Sequence, residues 1–123
     1  MTIRAISAAI LILAGTAGGA LPALAANYQF MSSPATGLNL MYRLDTLTGE
    51  VGACQYGLKD GTVGTTLCYR SGEGAGPQTS SEYALAASHH EGEAGIFRVD
   101  LRNGTMSICY LLNDAIVCTP PGK

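Results

Sequence analysis

The side chains best placed for chemistry are two matched pairs of arginine and aspartate. Arg43 precedes Asp45 by two residues, and Arg98 precedes Asp100 by the same spacing. Residues two apart on a strand point to the same face, so each pair could face a ligand together. The more ordinary interpretation is that each aspartate opens a turn and each arginine forms a solvated surface ion pair. We treat all four as possible ligand-facing residues and predict no catalytic residue.

The two histidines, His89 and His90, are weak candidates for metal binding. Imidazole suits zinc or copper, and Glu91 and Glu93 lie close by. Adjacent residues of an extended segment point in opposite directions, however, so both imidazoles rarely reach one ion. We therefore predict neither a metal site nor a cofactor. The sequence also shows no nucleophile elbow or phosphate-binding loop, and we expect a protein that is not an enzyme.

Four cysteines, Cys54, Cys68, Cys109 and Cys118, form an even set in a short chain. A two-residue hairpin loop at 113–114 would place Cys109 opposite Cys118 at a non-hydrogen-bonded pair, where two Cα atoms approach closely enough for a disulfide. Cys54 and Cys68 flank a similar, longer loop. We favour the pairs Cys54–Cys68 and Cys109–Cys118. Crossed bonds between the two halves are the alternative.

The N-terminal segment predicts export. Arg4 is followed by an apolar run, then by Pro22 and a small-residue pattern that ends at Ala25. We predict a signal peptide at 1–25 and a mature protein in the periplasm or outside the cell, without stable membrane insertion. The alternative is an uncleaved anchor, since the uncharged stretch is nearly long enough to span a bilayer.

The charge of the chain gives no support to a nucleic-acid partner. Seven lysines and arginines stand against nine aspartates and glutamates, for a net charge of −2. These charges are spread along the sequence and form no basic stretch.

An internal repeat with an offset of 55 residues organises the rest of the chain. It aligns Tyr42-Arg43-Leu44-Asp45 with Phe97-Arg98-Val99-Asp100, and it also aligns the pairs Tyr28 and Tyr83, Gly49 and Gly104, and Cys54 and Cys109. Cys68 meets Cys118 at an offset of 50, so the first copy has a longer loop. Self-similarity at a fixed period is the signature of a repeat architecture.

Each copy predicts four short strands, because apolar and polar residues alternate between turn-forming residues. The predicted strands are 28–32, 40–45, 50–56 and 64–69 in the first copy, and 83–87, 96–100, 105–112 and 115–118 in the second. We predict an all-β fold of two duplicated four-stranded antiparallel modules, at 26–70 and 82–123. A Gly- and Ser-rich flexible surface linker at 71–81 joins them. The modules would stack as a sandwich or act as blades.

The hairpin of the second copy carries apolar residues on both faces. Ile108, Tyr110 and Val117 point to one face, and Leu111 and Ile116 point to the other. An exposed hairpin would show one polar face, so both faces need cover from the other copy or from another chain.

Residues 42–51, with the sequence YRLDTLTGEV, resemble a hairpin found in quinoprotein-type β-propeller blades and in a family of small exported bacterial proteins. The resemblance implies blade-like modules. It does not extend to quinone binding, because the tryptophan that docks neighbouring blades is missing and the chain has no tryptophan. Two blades cannot close a propeller of four to eight. In organisation the chain is similar to two-blade microbial lectins that assemble into a ring.

These observations favour an exported, non-enzymatic structural, accessory or protein-interaction module. Its partner would be another protein chain, either a second copy or part of a larger exported complex. The first alternative is a carbohydrate-binding lectin of the oligomerising two-blade type, which predicts symmetric polar and aromatic clefts between modules. The second is a periplasmic inhibitor or small enzyme, which would require an asymmetric cleft with a buried ionisable group.

Overall fold

The structure, a computed structural model, describes residues 12, 14–16, 18–19 and 27–123. The predicted signal peptide at 1–25 lies almost wholly outside the described residues, so its cleavage stays a prediction. Among the residues that are described, none forms a helix of the length and hydropathy needed to cross a lipid bilayer.

Two four-stranded antiparallel modules form the described fold, as the repeat predicts. Every predicted strand is present, with bounds that agree to within two residues. Module 1 consists of β1 (Tyr28–Ser32), β2 (Leu40–Asp45), β3 (Val51–Gly57) and β4 (Thr65–Ser71). Module 2 consists of β5 (Tyr83–Ala86), β6 (Ile96–Asp100), β7 (Met106–Leu112) and β8 (Ala115–Cys118).

The modules are joined edge to edge into one nearly closed, barrel-like sheet. The strand order is β1-β2-β3-β4-β8-β7-β6-β5. The last strands of the two modules, β4 and β8, pair in parallel at Arg70 with Ala115 and at Ser71 with Ile116. At the other edge, the N–H of Leu85 on β5 donates to a side-chain oxygen of Gln29 on β1 at 2.8 Å. The sheet therefore wraps around a single core.

The two modules share the same strand register. Across the first strand pair, Tyr28 lies opposite Asp45, and Tyr83 lies opposite Asp100. Across the second, Met41 lies opposite Cys54, and Ile96 lies opposite Cys109. Each of these pairs is related to its counterpart by the offset of 55 residues.

The two modules nevertheless turn opposite faces to the core. On β2 the buried residues include Tyr42, and Arg43 is exposed. On β6 the parity is reversed, so Arg98 is buried and Phe97 points outward. The parallel pairing of β4 with β8 accounts for this reversal. β4 and β8 are equivalent strands of the repeat, so they run parallel as neighbours only when module 2 is rotated by half a turn about the strand direction relative to module 1. That rotation exchanges the two faces of a sheet.

Both predicted disulfides are formed, and the favoured pairing is confirmed. The Cα atoms are 4.0 Å apart in Cys54–Cys68 and 4.1 Å apart in Cys109–Cys118, as expected for directly opposed residues. The reversal of faces separates their environments. We call Cys54–Cys68 the outer disulfide, because it lies on the surface, and Cys109–Cys118 the inner disulfide, because it lies in the core. Two disulfides indicate an oxidising, non-cytoplasmic environment.

The segment predicted as a flexible surface linker, 71–81, is partly built into the core. Ala75 is fully buried, and its carbonyl accepts a hydrogen bond from Val51 at 2.8 Å. Gly74 has a positive φ of 72°, and a Cβ atom there would overlap the carbonyl oxygen of Cys118. The glycines of this segment therefore allow its backbone to approach β8 closely.

Candidate functional site: two equivalent Tyr-Arg-Asp clusters

The four predicted ligand-facing residues lie in two equivalent clusters, and each cluster is completed by a tyrosine from the neighbouring strand. The tyrosine faces the aspartate directly across an antiparallel pair, and the arginine lies two residues before the aspartate on the same face. The outer cluster consists of Tyr28, Arg43 and Asp45, and the inner cluster consists of Tyr83, Arg98 and Asp100.

In the outer cluster, the aspartate opens the β2–β3 turn, residues 46–49, which we call the Gly49 turn. A side-chain oxygen of Asp45 accepts hydrogen bonds from the N–H groups of Leu47 and Thr48, at 2.9 and 3.0 Å. The bond from Thr48, followed by that from Leu47, holds the pKa of Asp45 below its ordinary value. Gly49 closes the turn with a positive φ of 75°, which a glycine adopts without steric cost.

The inner cluster repeats this arrangement at the β6–β7 turn, residues 101–104, which we call the Gly104 turn. Asp100 accepts hydrogen bonds from the N–H groups of Arg102 and Asn103 at 3.0 and 3.3 Å. The hydroxyl of Ser81 also donates to Asp100 at 2.7 Å, and this bond is the main cause of its lowered pKa. Gly104 has a φ of 76°. Both aspartates therefore make the turn contacts expected from the ordinary interpretation of the sequence.

Arg98 uses its guanidinium to hold backbone from other parts of the chain. The side chain is 3% exposed. It donates to the carbonyl oxygen of Gly49 at 2.9 Å, to that of Gly74 at 3.1 Å and to the hydroxyl of Ser107 at 3.4 Å. Burial lowers the pKa of Arg98, but an arginine remains protonated at neutral pH. These charge-assisted bonds attach the Gly49 turn and the linker to module 2.

Tyr83 supplies the platform on which the Gly49 turn rests. A Cβ atom at Gly49 would lie 3.0 to 3.1 Å from carbons of the Tyr83 ring, so the turn approaches the ring face closely because it has no side chain there. The Tyr83 N–H donates to the Thr46 carbonyl at 2.9 Å, and its hydroxyl donates to the Thr79 carbonyl at 2.6 Å. Burial, and then the charge of Asp100, raise the pKa of Tyr83. The inner cluster is therefore a receptor for a β-turn of module 1.

The outer cluster contains the same groups but is open to solvent. Tyr28 is 53% exposed. The guanidinium carbon of Arg43 lies 5.5 Å from the centre of the Tyr28 ring, within the range of a cation–π contact. Gly52 takes the place that Ser107 has in module 2, and a Cβ atom there would lie 3.7 Å from a terminal nitrogen of Arg43. Within residues 27–123, we find no hydrogen bond donated by the Arg43 side chain.

A cavity accompanies each cluster, and every residue that lines the outer cavity has a repeat counterpart in the lining of the inner one, which also includes residues of the linker. The outer cavity has a volume of about 80 Å³ and the inner cavity a volume of about 260 Å³. The outer lining of Tyr28, Arg43, Asp45, Glu50 and Gly52 corresponds through the offset of 55 to Tyr83, Arg98, Asp100, Thr105 and Ser107 in the inner lining. Sequence reasoning identifies the arginine and aspartate but misses the tyrosine, although the alignment of Tyr28 with Tyr83 was the available signal.

Each module also leaves an apolar outer face exposed. Ile116 is fully buried, but Ile108 and Tyr110 on the other face of the second hairpin remain exposed beside an apolar cavity of about 380 Å³. One of the two faces predicted to need cover is therefore uncovered. Exposed apolar surface of this kind is typical of interaction sites. The exposed large apolar side chains on the outer faces of the strands are Tyr28, Phe30, Met41 and Tyr56 in module 1, and Met106, Ile108, Tyr110 and Leu112 in module 2.

The histidines lie away from this arrangement in sequence and in the fold. His89 and His90 are both exposed in the loop between β5 and β6. In the part of the chain that the structure describes, no three side chains of the metal-ligating types come together.

Comparison with known proteins finds no matching family model, no matching curated protein and no matching solved structure. Each of the two clusters presents a tyrosine ring beside an arginine side chain. In the inner cluster these two groups hold the Gly49 turn by its glycine and by its backbone carbonyl.

Proposed function

We propose that this protein is an exported, non-enzymatic protein-binding module whose outer cluster receives a β-turn from a protein partner. One observation carries the proposal: the inner cluster, built from the same residue types in the same register, holds the Gly49 turn. The apolar start of the sequence and the two disulfides support a location in the periplasm or outside the cell.

The inner cluster defines what the outer cluster would bind. Arg98 donates to a turn carbonyl at 2.9 Å, and Tyr83 packs against a glycine of that turn. Arg43 and Tyr28 offer the same donor and ring on an exposed surface. A suitable partner therefore presents a tight turn with an exposed carbonyl and with a glycine where a side chain would strike the ring. The surrounding apolar residues, such as Phe30 and Met41, supply contact area.

A titration followed by NMR tests this function. The ligand is a cyclised peptide with the sequence of residues 45–51, which contains the Gly49 turn. We expect it to shift the resonances of the Tyr28 ring and of the Arg43 side-chain N–H. The peptide with valine in place of its glycine is the matched control, because the added side chain would collide with the ring.

The same titration on Arg43→Met is expected to show no saturable shift, whereas Lys59→Met, which changes an exposed cation outside the cluster, leaves binding intact. If the shifts at Tyr28 are missing at millimolar peptide, or persist unchanged in Arg43→Met, the proposed function is wrong.

A carbohydrate-binding role is a second candidate, because each module carries a polar cavity lined by a tyrosine, although the cavities lie within the modules and not between them. Aromatic rings with adjacent charged groups can bind sugars by stacking and hydrogen bonding. A glycan array on the wild-type chain and on Tyr28→Ala tests this candidate. Binding that is lost in Tyr28→Ala, and that the turn peptide does not displace, would favour the lectin. An array without binding would exclude the glycans it presents.

A further inference from the structure

We infer that the partner of the outer cluster is a second copy of this chain, whose Gly104 turn docks there as the Gly49 turn docks on the inner cluster. This inference rests on the proposed function and names its partner. It follows from the internal contact between the modules, which supplies both a template and the two complementary surfaces.

The Gly104 turn has the geometry of the turn that the inner cluster already holds. Gly49 and Gly104 have φ values of 75° and 76°, and each turn is opened by an aspartate that accepts two backbone hydrogen bonds. The two turns differ in their surroundings. A Cβ atom at Gly49 would meet the ring of Tyr83, but one at Gly104 would meet nothing within 4 Å. The Gly104 turn is thus preformed and open.

The apolar residues on the two outer faces are the repeat equivalents of core residues. On module 1, Phe30 and Met41 correspond to Leu85 and Ile96, which are buried in module 2. On module 2, Met106 and Ile108 correspond to Val51 and Ala53, which are buried in module 1. Through the repeat, the outer face of module 2 therefore corresponds to the core-facing side of module 1. The outer face of module 1 corresponds in the same way to the core-facing side of module 2.

The contact that follows is head to tail. Inside the chain, the two modules pack through faces that are not equivalent in the repeat, because the half rotation that makes β4 and β8 parallel exchanges the two faces of one module. The same contact between chains joins module 2 of one copy to module 1 of the next. In it, the Gly104 carbonyl would accept a hydrogen bond from Arg43 of the next copy, and Gly104 would lie on the Tyr28 ring. Each copy offers one turn and one open cluster, so the contact repeats and produces a ring or a filament.

Size-exclusion chromatography with light scattering tests this arrangement on the full chain with both disulfides formed. One variant, Arg43→Ala, removes the donor of the outer cluster. The other, Gly104→Asn, adds a side chain that would strike the Tyr28 ring, although asparagine tolerates the positive φ. The matched controls are Lys59→Ala, an exposed cation outside the cluster, and Gly61→Asn, an open glycine with a φ of 70° in another turn.

We expect the wild-type chain and both controls to form species larger than a dimer. Arg43→Ala and Gly104→Asn should each be monomeric. An equimolar mixture of Arg43→Ala and Gly104→Asn should form a dimer and nothing larger, because the first retains the turn and the second retains the open cluster. Should circular dichroism show that Gly104→Asn does not fold, Leu101→Glu replaces it, since Leu101 is an exposed residue of the same turn.

If the wild-type chain is monomeric at concentrations on the order of 100 µM and above, the inference of self-assembly is wrong. Assembly that both variants leave unchanged, or a mixture that stays monomeric, overturns it as well. These results are distinguishable from failure of the proposed function. A monomeric chain that still binds the turn peptide at Arg43 retains a turn-receiving site for a different protein, whereas loss of peptide binding as well overturns both proposals.

Discussion

The two equivalent arginines should respond very differently to the same substitution, Arg98→Met and Arg43→Met. Methionine keeps most of the apolar stem, so the change mainly removes the guanidinium. Arg98 is 3% exposed and donates to the carbonyls of Gly49 and Gly74. A buried carbonyl left without its donor costs about 1–3 kcal/mol, and removing a buried charge returns part of that cost. The Gly49 carbonyl would lose its donor, whereas the Gly74 carbonyl keeps a bond from the Gln78 side chain at 3.4 Å. We therefore expect Arg98→Met to lower the free energy of unfolding by about 2 kcal/mol.

Arg43→Met should change the free energy of unfolding by no more than about 0.5 kcal/mol, because its guanidinium is exposed. Urea denaturation followed by far-ultraviolet circular dichroism measures both, with the disulfides intact and at a concentration where the chain is monomeric. Equal losses in the two variants, or a loss below about 1 kcal/mol in Arg98→Met, would refute the assignment of Arg98 as the buried support of the Gly49 turn.

Three further predictions follow from burial and close approach. Gly74→Ala should destabilise the fold by about 3 kcal/mol or more, since a Cβ would overlap β8 at a positive φ, whereas Gly76→Ala, with nothing within 4 Å, should change stability by about 1 kcal/mol or less in the same urea assay. Burial raises the pKa of Tyr42 to about 12, so the folded state retains the phenol proton more tightly than the unfolded state. The contribution of this proton to the free energy of unfolding is complete below about pH 10 and is lost at about 1.4 kcal/mol per pH unit up to about pH 12. The alkaline unfolding of Tyr42→Phe should lack this loss. Under mild reduction of the folded protein, mass spectrometry after alkylation should find the outer disulfide opened before the inner one, because reductant reaches exposed sulfur first; the reverse order would contradict the assigned faces.

The strands and disulfides could be predicted because their signals are local. Residues 113–114 occupy the loop of a tight hairpin, with positive φ at both Asn113 and Asp114, and a two-residue loop fixes the register of every pair behind it. The pairing of Cys109 with Cys118 follows from that register. The repeat then predicts the pairing of Cys54 with Cys68 in module 1, with an offset of 55 at the first cysteine and of 50 at the second because the module 1 loop is longer.

The choice of buried face could not be predicted, because it depends on how the two modules meet. The sequence of β2 and that of β6 both alternate, and the alignment equates Arg43 with Arg98. An arginine is ordinarily exposed, so the sequence gives no reason to bury one and expose the other. The parallel pairing of β4 with β8, a contact between residues far apart in sequence, makes that distinction.

The structure of the linker also could not be predicted from its amino-acid composition. Glycine and serine at 71–81 predicted a flexible surface segment. In the structure, Ala75 is fully buried and Gly74 accepts a hydrogen bond from Arg98. The glycines allow close packing against β8, and composition does not distinguish this use of glycine from flexibility.

The most direct test of the account is the NMR chemical shift of the α-protons of Gly49 and Gly104, recorded over a range of protein concentrations. The Gly49 turn rests on the ring of Tyr83, so we predict an α-proton of Gly49 well upfield of its random-coil position at every concentration. The Gly104 α-proton should lie near its random-coil position in dilute samples and move upfield as chains assemble on Tyr28 of the next copy. A Gly49 proton at its random-coil position would contradict the packing of the two modules. A Gly104 proton that stays there while the chain assembles would contradict the head-to-tail contact.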